Sequence, residues 1–302
     1  MENGHVIALG FFDGVHLGHG ALIKKAVEVS KNTGLVPTVI TFDSHPMSMV
    51  FGKNVPLITS AEDRAGLIRR LYGVSDVVFL RFDREMMNMP WDEFMKSVVE
   101  NFNGAHLVCG HDYSFGYKGM GNTERLREFC ENRGVGYDVV PPVTLDGERI
   151  SSTLIRELIA AGKIEEANRY LGHRHVLTDI VRSGRRLGRT INAPTINMQF
   201  GKGVIIPRHG VYATMVTLED GTVWRGVTNV GVRPTVDDSG RVTAETYMLG
   251  YSGNLYGRTV RLDFYKFMRP EMKFADIGQL KDRIHADAEN IDRYFEQIKK
   301  GG

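Results

Sequence analysis

Short apolar runs alternate with amphipathic stretches over the first half of the chain, and this alternation predicts strands separated by helices. The apolar runs are brief and continuous, which is typical of strands buried on both faces. The stretches between them carry apolar residues at helical spacing, as Leu22, Ala26 and Val29 do. Such alternation predicts a parallel sheet with helices on both faces. The predicted strands are 6–11, 36–42, 77–80, 105–109 and 137–140, and the predicted helices are 21–31, one opened by Ser60, 91–101 and 123–132.

The pattern changes after Gly172, where short runs rich in Val, Thr and Tyr are separated by Gly, Asp and Asn turns. Runs at this spacing predict an antiparallel barrel or sandwich. One long amphipathic helix closes the chain, with Ile277, Leu280, Ile284 and Ile291 on one stripe. We therefore expect two domains, 1–172 and 173–302, with the boundary near 171–174. The predicted strands of the second domain are 211–218, 223–229, 243–249 and 259–265.

Composition narrows the class of protein without naming a function. The chain has 302 residues, and 38 basic against 36 acidic side chains leave a net charge of +2, which gives no global attraction to nucleic acid or anionic membrane. Its two cysteines, Cys109 and Cys130, can form neither a disulfide framework nor a cysteine zinc cluster. The sequence shows no signal peptide and no apolar run long enough to span a bilayer. We expect a cytoplasmic protein that binds neither nucleic acid nor membrane, in an oligomeric state that the sequence leaves open.

The segment joining the first predicted strand to the first predicted helix concentrates glycine and histidine. Ligands bind at the carboxyl ends of parallel strands, and a helix N-terminus there attracts phosphate. Gly18 allows close backbone approach, while His16 and His19 can donate hydrogen bonds to phosphate oxygens. The alternatives are two solvated histidines or a zinc site, although no third ligand is evident. The candidate nucleotide-binding residues here are Gly10, Phe11, Phe12, Asp13, Gly14, His16, Gly18 and His19.

Two further segments carry candidate binding chemistry. Ser151, Ser152 and Thr153 precede a helical run, and Arg156 follows one turn later, within reach of an anion at the same helix start. A simple N-cap is the alternative for these hydroxyls. The loop 110–122 is rich in Gly, aromatic and Lys residues and follows a strand, which suits an aromatic heterocycle; an ordinary long connecting loop is the alternative.

The His16-x-Gly-His19 and Ser-Ser-Thr-x-x-Arg156 motifs together resemble the nucleotidyltransferase superfamily related to class I aminoacyl-tRNA synthetases. The resemblance implies that the histidines hold the triphosphate of ATP and that the Arg156 segment clamps its β and γ phosphates. Segments 10–19, 42–46 and 110–116 narrow the resemblance to the FMN adenylyltransferase module of bacterial FAD synthetases. It implies a Rossmann-like domain whose flavin contacts are Asp43, His45, Pro46, Asp112 and Phe115.

The second half resembles the riboflavin kinase family in segments 194–197, 229–235, 244–245, 255–257 and 268–274. The resemblance implies a six-stranded Greek-key β-barrel that binds ATP and Mg²⁺ beside a flavin. Thr195 and Asn197 offer neutral oxygens, which suit a Mg²⁺ ion already carrying phosphates. Glu245 is implied as the base that takes a proton from a primary alcohol, and Arg269 as a flavin contact. The alternative for Glu245 is a solvent-facing strand residue.

Seven positions depart from the two family patterns. Ser44 stands where the adenylyltransferase pattern has proline and Lys118 where it has arginine, and the other five lie in the kinase half: Asn192, Ala193, Tyr247, Gly250 and Tyr251.

The sequence thus predicts a bifunctional enzyme. Riboflavin and ATP give FMN and ADP in the second domain, and FMN and ATP give FAD and pyrophosphate in the first. Two alternatives stay open. One is an enzyme with only the adenylyltransferase active, which the kinase-half departures suggest. The other is a non-catalytic flavin sensor that binds RNA or a protein through the basic segments 182–189 and 69–70.

Overall fold

A computed structural model describes residues 4–52, 54–182, 195–232 and 241–301 of the chain. The chain divides into two compact units, Met1–Ser152 and Thr153–Gly302. Within the described part of the chain, no helix has both the length and the apolar character needed to cross a membrane.

The first unit is built on a five-stranded parallel sheet in the order β3-β2-β1-β4-β5, so the five strands predicted from the apolar runs are confirmed. This order places a topological switch point between β1 and β4, where open sheets bind ligands. The elements are β1 His5–Leu9, α1 Leu17–Thr33, β2 Val36–Phe42, α2 Pro46–Phe51, α3 Ala61–Tyr72, β3 Asp76–Leu80, α4 Arg84–Asn88, α5 Trp91–Asn101, β4 Gly104–Gly110, α6 Thr123–Arg133, β5 Gly136–Val140, and the short hairpin β6 Thr144–Leu145 and β7 Glu148–Arg149.

Side-chain caps explain where the helices of the first unit begin. The Ser60 hydroxyl accepts a hydrogen bond from the Asp63 amide at 3.0 Å, which confirms the predicted start of α3. Asn122 caps α6 in the same way, through the Arg125 amide. Helices α2 and α4 were not predicted, because five or six residues are too few to show a helical period.

The second unit contains a six-stranded antiparallel sheet in the order β8-β13-β10-β11-β12-β9. The edge strands approach each other where the Arg182 amide donates to the Asn197 carbonyl at 2.9 Å, so the sheet curls into a barrel. This agrees with the predicted six-stranded barrel and long final helix. The elements are α7 Ser152–Ala160, which begins at the last residue of the first unit, α8 Ile164–Leu171, β8 His175–Ile180, β9 Thr195–Gln199, β10 Gly210–Thr217, β11 Val223–Val232, β12 Val242–Met248, β13 Thr259–Arg269 and α9 Ile277–Gly301.

The interior of the barrel contains a row of hydrogen-bonded threonines, called the threonine ladder. Its outer face carries an apolar surface against which α9 packs. Three buried threonine hydroxyls, those of Thr214, Thr228 and Thr246, are linked across neighbouring strands at 2.7 and 2.8 Å. Because side chains alternate along a strand, the residues beside them face outward. There α9 packs Ile291 and Phe295 against the strands of the barrel.

Candidate active sites

The segment predicted to bind nucleotide, residues 10–20, is called the nucleotide loop after that prediction. It lies at the carboxyl end of β1 beside the switch point. Its backbone is strained, because Phe12 has φ 53° and Val15 has φ 44°. A β-branched residue such as Val15 rarely adopts a positive φ, and each such residue costs roughly 1–3 kcal/mol. Strain of this kind persists only where surrounding contacts fix the chain.

The carboxylate of Asp13 supplies those contacts. It is buried and accepts hydrogen bonds from the backbone amides of Ile58 at 2.9 Å and Thr59 at 3.1 Å. In return the Thr59 hydroxyl accepts from the Gly14 amide at 3.1 Å. Asp13 was predicted as a nucleotide-binding residue. Its side chain points into the protein and fixes the shape of the loop through these buried hydrogen bonds.

His16 and His19 form a stacked pair at the start of α1. The His16 Nδ1 atom accepts from the His19 amide at 3.2 Å, and the two rings lie 3.5 Å apart at 14°. A Cβ atom at Gly18 would come within 3.1 Å of the His16 ring, so a larger residue would disturb the stack. Because Nδ1 acts as an acceptor, a neutral His16 carries its proton on Nε2, which makes Nε2 a donor suited to phosphate oxygens.

Ser152 of the predicted Ser-Ser-Thr-x-x-Arg segment, the last residue of the first unit, contacts this loop although it is far along the chain. The Ser152 hydroxyl donates to the carbonyl oxygen of Asp13 at 3.3 Å, across 139 positions in the sequence. Ser151 is half-buried just before α7. Thr153 is exposed and Arg156 half-buried within that helix, in the second compact unit. Their roles at the nucleotide loop stay predictions.

The predicted flavin residues after β2 also lie beside the nucleotide loop. The His45 ring contacts the Phe11 ring edge-on, with centroids 4.7 Å apart. His45 also caps α2 through the Met47 amide, and Pro46 occupies the first turn of that helix. Asp43 accepts from the Phe82 amide at 3.1 Å and from the hydroxyl of the neighbouring Ser44.

The loop after β4 divides its two predicted flavin residues between the surface and the core. Asp112 is exposed and pairs with Arg149 at 2.5 Å. Phe115 is buried, and its ring stacks on Tyr113 with centroids 5.3 Å apart. The Phe115 ring thus supports the loop from inside, while Lys118 stands exposed further along it.

The second cluster of predicted residues lines a cavity of about 220 Å³ in the second unit, on the outer face of the barrel and beneath α9. Its walls combine apolar strand residues with carboxylates, an amide and a hydroxyl. The lining residues are Thr195, Val211, Val227, Asn229, Glu245, Tyr247, Arg269, Glu271, Met272, Phe274, Leu280, Ile284 and Asp287.

Strand register brings the predicted kinase residues into one row. Asn229 lies directly opposite Glu245, which lies opposite Asn197 on the next strand. Thr195, two residues from Asn197, donates its hydroxyl to Glu245 Oε1 at 2.6 Å. Because directly opposed residues share a face, a carboxylate and neutral oxygen donors meet at one edge of the cavity.

Arg269 also lines the cavity, and its guanidinium is held by a carboxylate of α9. Its Nη2 donates to Asp287 at 2.6 Å and its Nε donates to the same group at 3.0 and 3.1 Å. Asp287 is only 3% exposed and also pairs with Arg283. The predicted flavin residue Arg269 therefore anchors the helix that covers the cavity.

Three of the five departures in the kinase half lie within the described residues. Tyr247 lines the cavity, Gly250 occupies a turn after β12 with φ 72°, a conformation that favours glycine, and Tyr251 follows it half-buried. Asn192 and Ala193 lie outside the described residues, as do Pro194 and positions 233–235 of the matched segments.

Sequence reasoning missed three polar residues that the structure places at these sites. Arg64 is fully buried under the nucleotide loop, and Glu271 and Asp287 line the cavity. Each of them gave a signal in the sequence. Arg64 occupies the apolar stripe of α3 together with Leu67 and Ile68, Asp287 occupies the stripe of α9 between Ile284 and Ile291, and Glu271 lies in the matched segment 268–274.

A doubly wound α/β unit followed by a β-barrel with a helix-covered cavity is consistent with a two-domain transferase. The family model for FAD synthetase matches residues 1–154, and the model for riboflavin kinase matches residues 171–295. The chain belongs to the family of bifunctional riboflavin kinases/FMN adenylyltransferases.

Similar proteins cover nearly the whole chain. The bifunctional riboflavin kinase/FMN adenylyltransferase of Listeria monocytogenes is 34% identical over 97% of this chain and 93% of its own. The Bacillus subtilis protein of the same name is 32% identical over 98% and 94%. A crystal structure described as a macrolide-efflux protein from Streptococcus pneumoniae has a TM-score of 0.82 and 28% identity, covering 96% of this chain and 94% of that one. The fold therefore recurs over the full length of that protein.

Proposed function

We propose that each of the two family activities occupies one of the two clusters described above. Riboflavin would be phosphorylated by ATP in the barrel cavity, giving FMN and ADP. FMN would be adenylylated by ATP at the nucleotide loop, giving FAD and pyrophosphate. The observation that carries this assignment is the separation of the clusters, since Glu245 and Thr195 lie in one compact unit and His16 and His19 in the other.

In the kinase step Glu245 acts as the general base. Its carboxylate takes the proton of the riboflavin primary hydroxyl while that oxygen bonds to the γ-phosphorus, and the bond from γ-phosphorus to the bridging oxygen of ADP breaks. The Thr195 hydroxyl, which donates to Glu245 at 2.6 Å, orients the carboxylate. The apolar walls formed by Val211 and Val227 suit the ring system of a flavin.

In the adenylyl step no covalent enzyme intermediate is needed. An FMN phosphate oxygen attacks the α-phosphorus of ATP, and the bond from that phosphorus to the β-bridging oxygen breaks to release pyrophosphate. His16 and His19 donate hydrogen bonds to the charge that develops on the leaving group. Ser152, Thr153 and Arg156 are assigned to the same anion.

Mg²⁺ fits the donors of the barrel site and belongs to this proposal. Thr195 offers a hydroxyl and Asn197, two residues along the same strand, a neutral amide oxygen, and such hard donors suit a Mg²⁺ ion that keeps phosphate ligands. Among the described residues no group of three or more His, Cys, Asp or Glu side chains could hold a metal ion. When bound, the ion neutralises charge on the transferred phosphates.

A chromatographic time course with riboflavin, ATP and Mg²⁺ tests the assignment as a whole. We expect FMN to appear first and FAD to follow. FAD formed only from supplied FMN would identify an enzyme with adenylyltransferase activity alone, and flavin binding without turnover would identify a sensor. The cytoplasmic location belongs to the same proposal, because ATP supplies both reactions, and cell fractionation tests it.

A further inference from the structure

The fully buried guanidinium of Arg64 is the most unusual group in the first unit outside the residues already assigned. It is 0% exposed on the inner face of α3. Burial of this cation lowers the pKa of Arg64, and the nearby carboxylates of Asp13 and Asp43 oppose that shift. A buried charge is costly unless its surroundings compensate it, so its contacts matter.

All three hydrogen bonds that Arg64 makes in the described structure come from one nitrogen, Nη1. It donates to the Phe11 carbonyl at 3.0 Å, to the Thr41 hydroxyl at 3.0 Å and to the Phe42 carbonyl at 2.9 Å. Phe11 belongs to the nucleotide loop after β1, whereas Thr41 and Phe42 end β2. One donor atom thus joins the ends of two neighbouring strands.

These two strand ends lead into the two predicted substrate segments of the adenylyl step. The nucleotide loop continues from Phe11 to His16 and His19, and β2 continues into Asp43 and His45. The guanidinium also lies over the Phe11 ring, 4.4 Å from its centroid, and that ring contacts the His45 ring. Arg64 therefore supports the place where the ATP segment meets the flavin segment.

We propose that Arg64 is a positioning residue for adenylyl transfer, fixing the nucleotide loop relative to the flavin segment so that the FMN phosphate and the α-phosphorus of ATP meet in line. This inference rests on the proposed function. Reacting groups must be held to within a fraction of an ångström, and a displacement of about 1 Å costs on the order of 10²-fold in rate. The effect belongs in kcat, because each substrate still reaches its own segment.

The test compares Arg64→Met, Arg64→Lys and the wild type in the full-length chain. Methionine fills a similar volume but removes the charge and the donors, and we expect kcat for FAD formation from FMN to fall about 10²-fold while both KM values change less than about threefold. Lysine restores a cation with three donors for the same three acceptors. We expect Arg64→Lys to recover at least tenfold of the loss.

Controls separate positioning from folding and from the proposed function. Arg69→Met makes the same change at an exposed position of α3 and should behave as wild type. FMN formation from riboflavin should be unchanged in every variant, and Trp91 fluorescence in a Trp224→Phe background reports whether the first unit is folded. If Arg64→Met unfolds that unit, Arg64→Gln, which keeps donors without the charge, replaces it, with the same loss of kcat expected.

The outcomes are distinct. A role in packing alone predicts that methionine serves as well as lysine, and equal kcat values in two folded variants overturn the proposal. So does a loss confined to KM. Failure of the wild type itself to make FAD would instead overturn the proposed function.

Discussion

The proposed function assigns the two reactions to different side chains, so substitutions should separate the two reactions. Glu245→Gln keeps the shape of the side chain and removes the base, and we expect FMN formation to fall by ~10²–10⁴-fold. FAD formation from supplied FMN should stay near wild type. His19→Ala and Arg156→Ala remove donors to pyrophosphate, and each should slow FAD formation by about 10²-fold or more. Chromatography of all flavins measures both rates in one sample.

The decisive result is that each variant loses one reaction and keeps the other. FMN should accumulate from riboflavin in His19→Ala, whereas Glu245→Gln should accumulate riboflavin. An unaffected kinase rate in Glu245→Gln would remove the base assignment. A folded His19→Ala protein that has lost both reactions would contradict the two-site arrangement.

The environment of His175 predicts that the second unit becomes less stable to unfolding at acid pH. The ring is buried, neither nitrogen has a hydrogen-bond partner in the described structure, and burial lowers the pKa of His175 to about 3. An unfolded histidine has a pKa of about 6.5. Between pH 6.5 and 3 the unfolded chain therefore binds one more proton at this position. The free energy of unfolding should fall as pH falls through that window, by at most about 1.4 kcal/mol per pH unit from this group.

The two tryptophans allow this to be measured in the whole chain, because Trp91 lies in the first unit and Trp224 in the second. In a Trp91→Phe background, urea unfolding followed by Trp224 fluorescence should depend less steeply on pH between 4 and 6.5 once His175→Phe is introduced. The exposed His285→Phe serves as the matched control and should leave the slope unchanged. Identical slopes in all three proteins would exclude His175 as the cause.

Helix α8 belongs to the barrel by its contacts, which bears on where a stable kinase fragment begins. Asn168 donates to the Phe264 carbonyl at 2.8 Å and accepts from the His175 amide at 2.7 Å. Ile164, Ala167 and Leu171 of the same helix are buried. The functional boundary near Gly172 stays a prediction from the sequence, and the kinase family model also begins at residue 171.

We therefore expect a fragment of residues 153–302 to be more stable than one of residues 171–302. In the shorter fragment the Phe264 carbonyl and the His175 amide lose their partner, and the apolar surface that α8 covers is exposed. We expect its free energy of unfolding to be lower by about 3 kcal/mol or more. Urea denaturation of the two fragments measures it, with flavin and ADP binding as the check on the native state. Equal midpoints would show that α8 adds nothing to the barrel.

Among the helices and strands, those with a clear hydrophobic pattern could be predicted from the sequence. All five strands of the parallel sheet and four of the six barrel strands stood out as apolar or β-branched runs, whereas β8 and β9 did not. The histidine pair, Thr195 and Glu245 were predicted from motifs with local spacing, and their roles stay predictions. Arg64 and Asp287 were not predicted, because a polar residue on an apolar stripe does not reveal its partners, which lie on other elements.

The proposed Mg²⁺ dependence concerns the whole molecule, because both reactions use ATP. The two residues proposed to hold the ion in the barrel, Thr195 and Asn197, are neutral donors, so Mg²⁺ should bind weakly without nucleotide. We expect a chelator to abolish both activities and added Mg²⁺ to restore them. Calorimetry should detect Mg²⁺ binding in the presence of ADP and little without it. Stoichiometric zinc needed for activity would instead revive a zinc site at His16 and His19.

The row that joins Asn197, Glu245 and Asn229 across three strands has a consequence for how this enzyme can vary. On two of these strands, β11 and β12, the neighbouring residues Thr228 and Thr246 belong to the threonine ladder of the interior. Inserting one residue into β12 would exchange the two rows there, sending Glu245 inward and Thr246 outward. Residues of the proposed active site and residues of the barrel core thus alternate along the same strands. We therefore expect insertions and deletions to be tolerated only in the turns. A one-residue shift of register within a strand would disrupt both the proposed active site and the core.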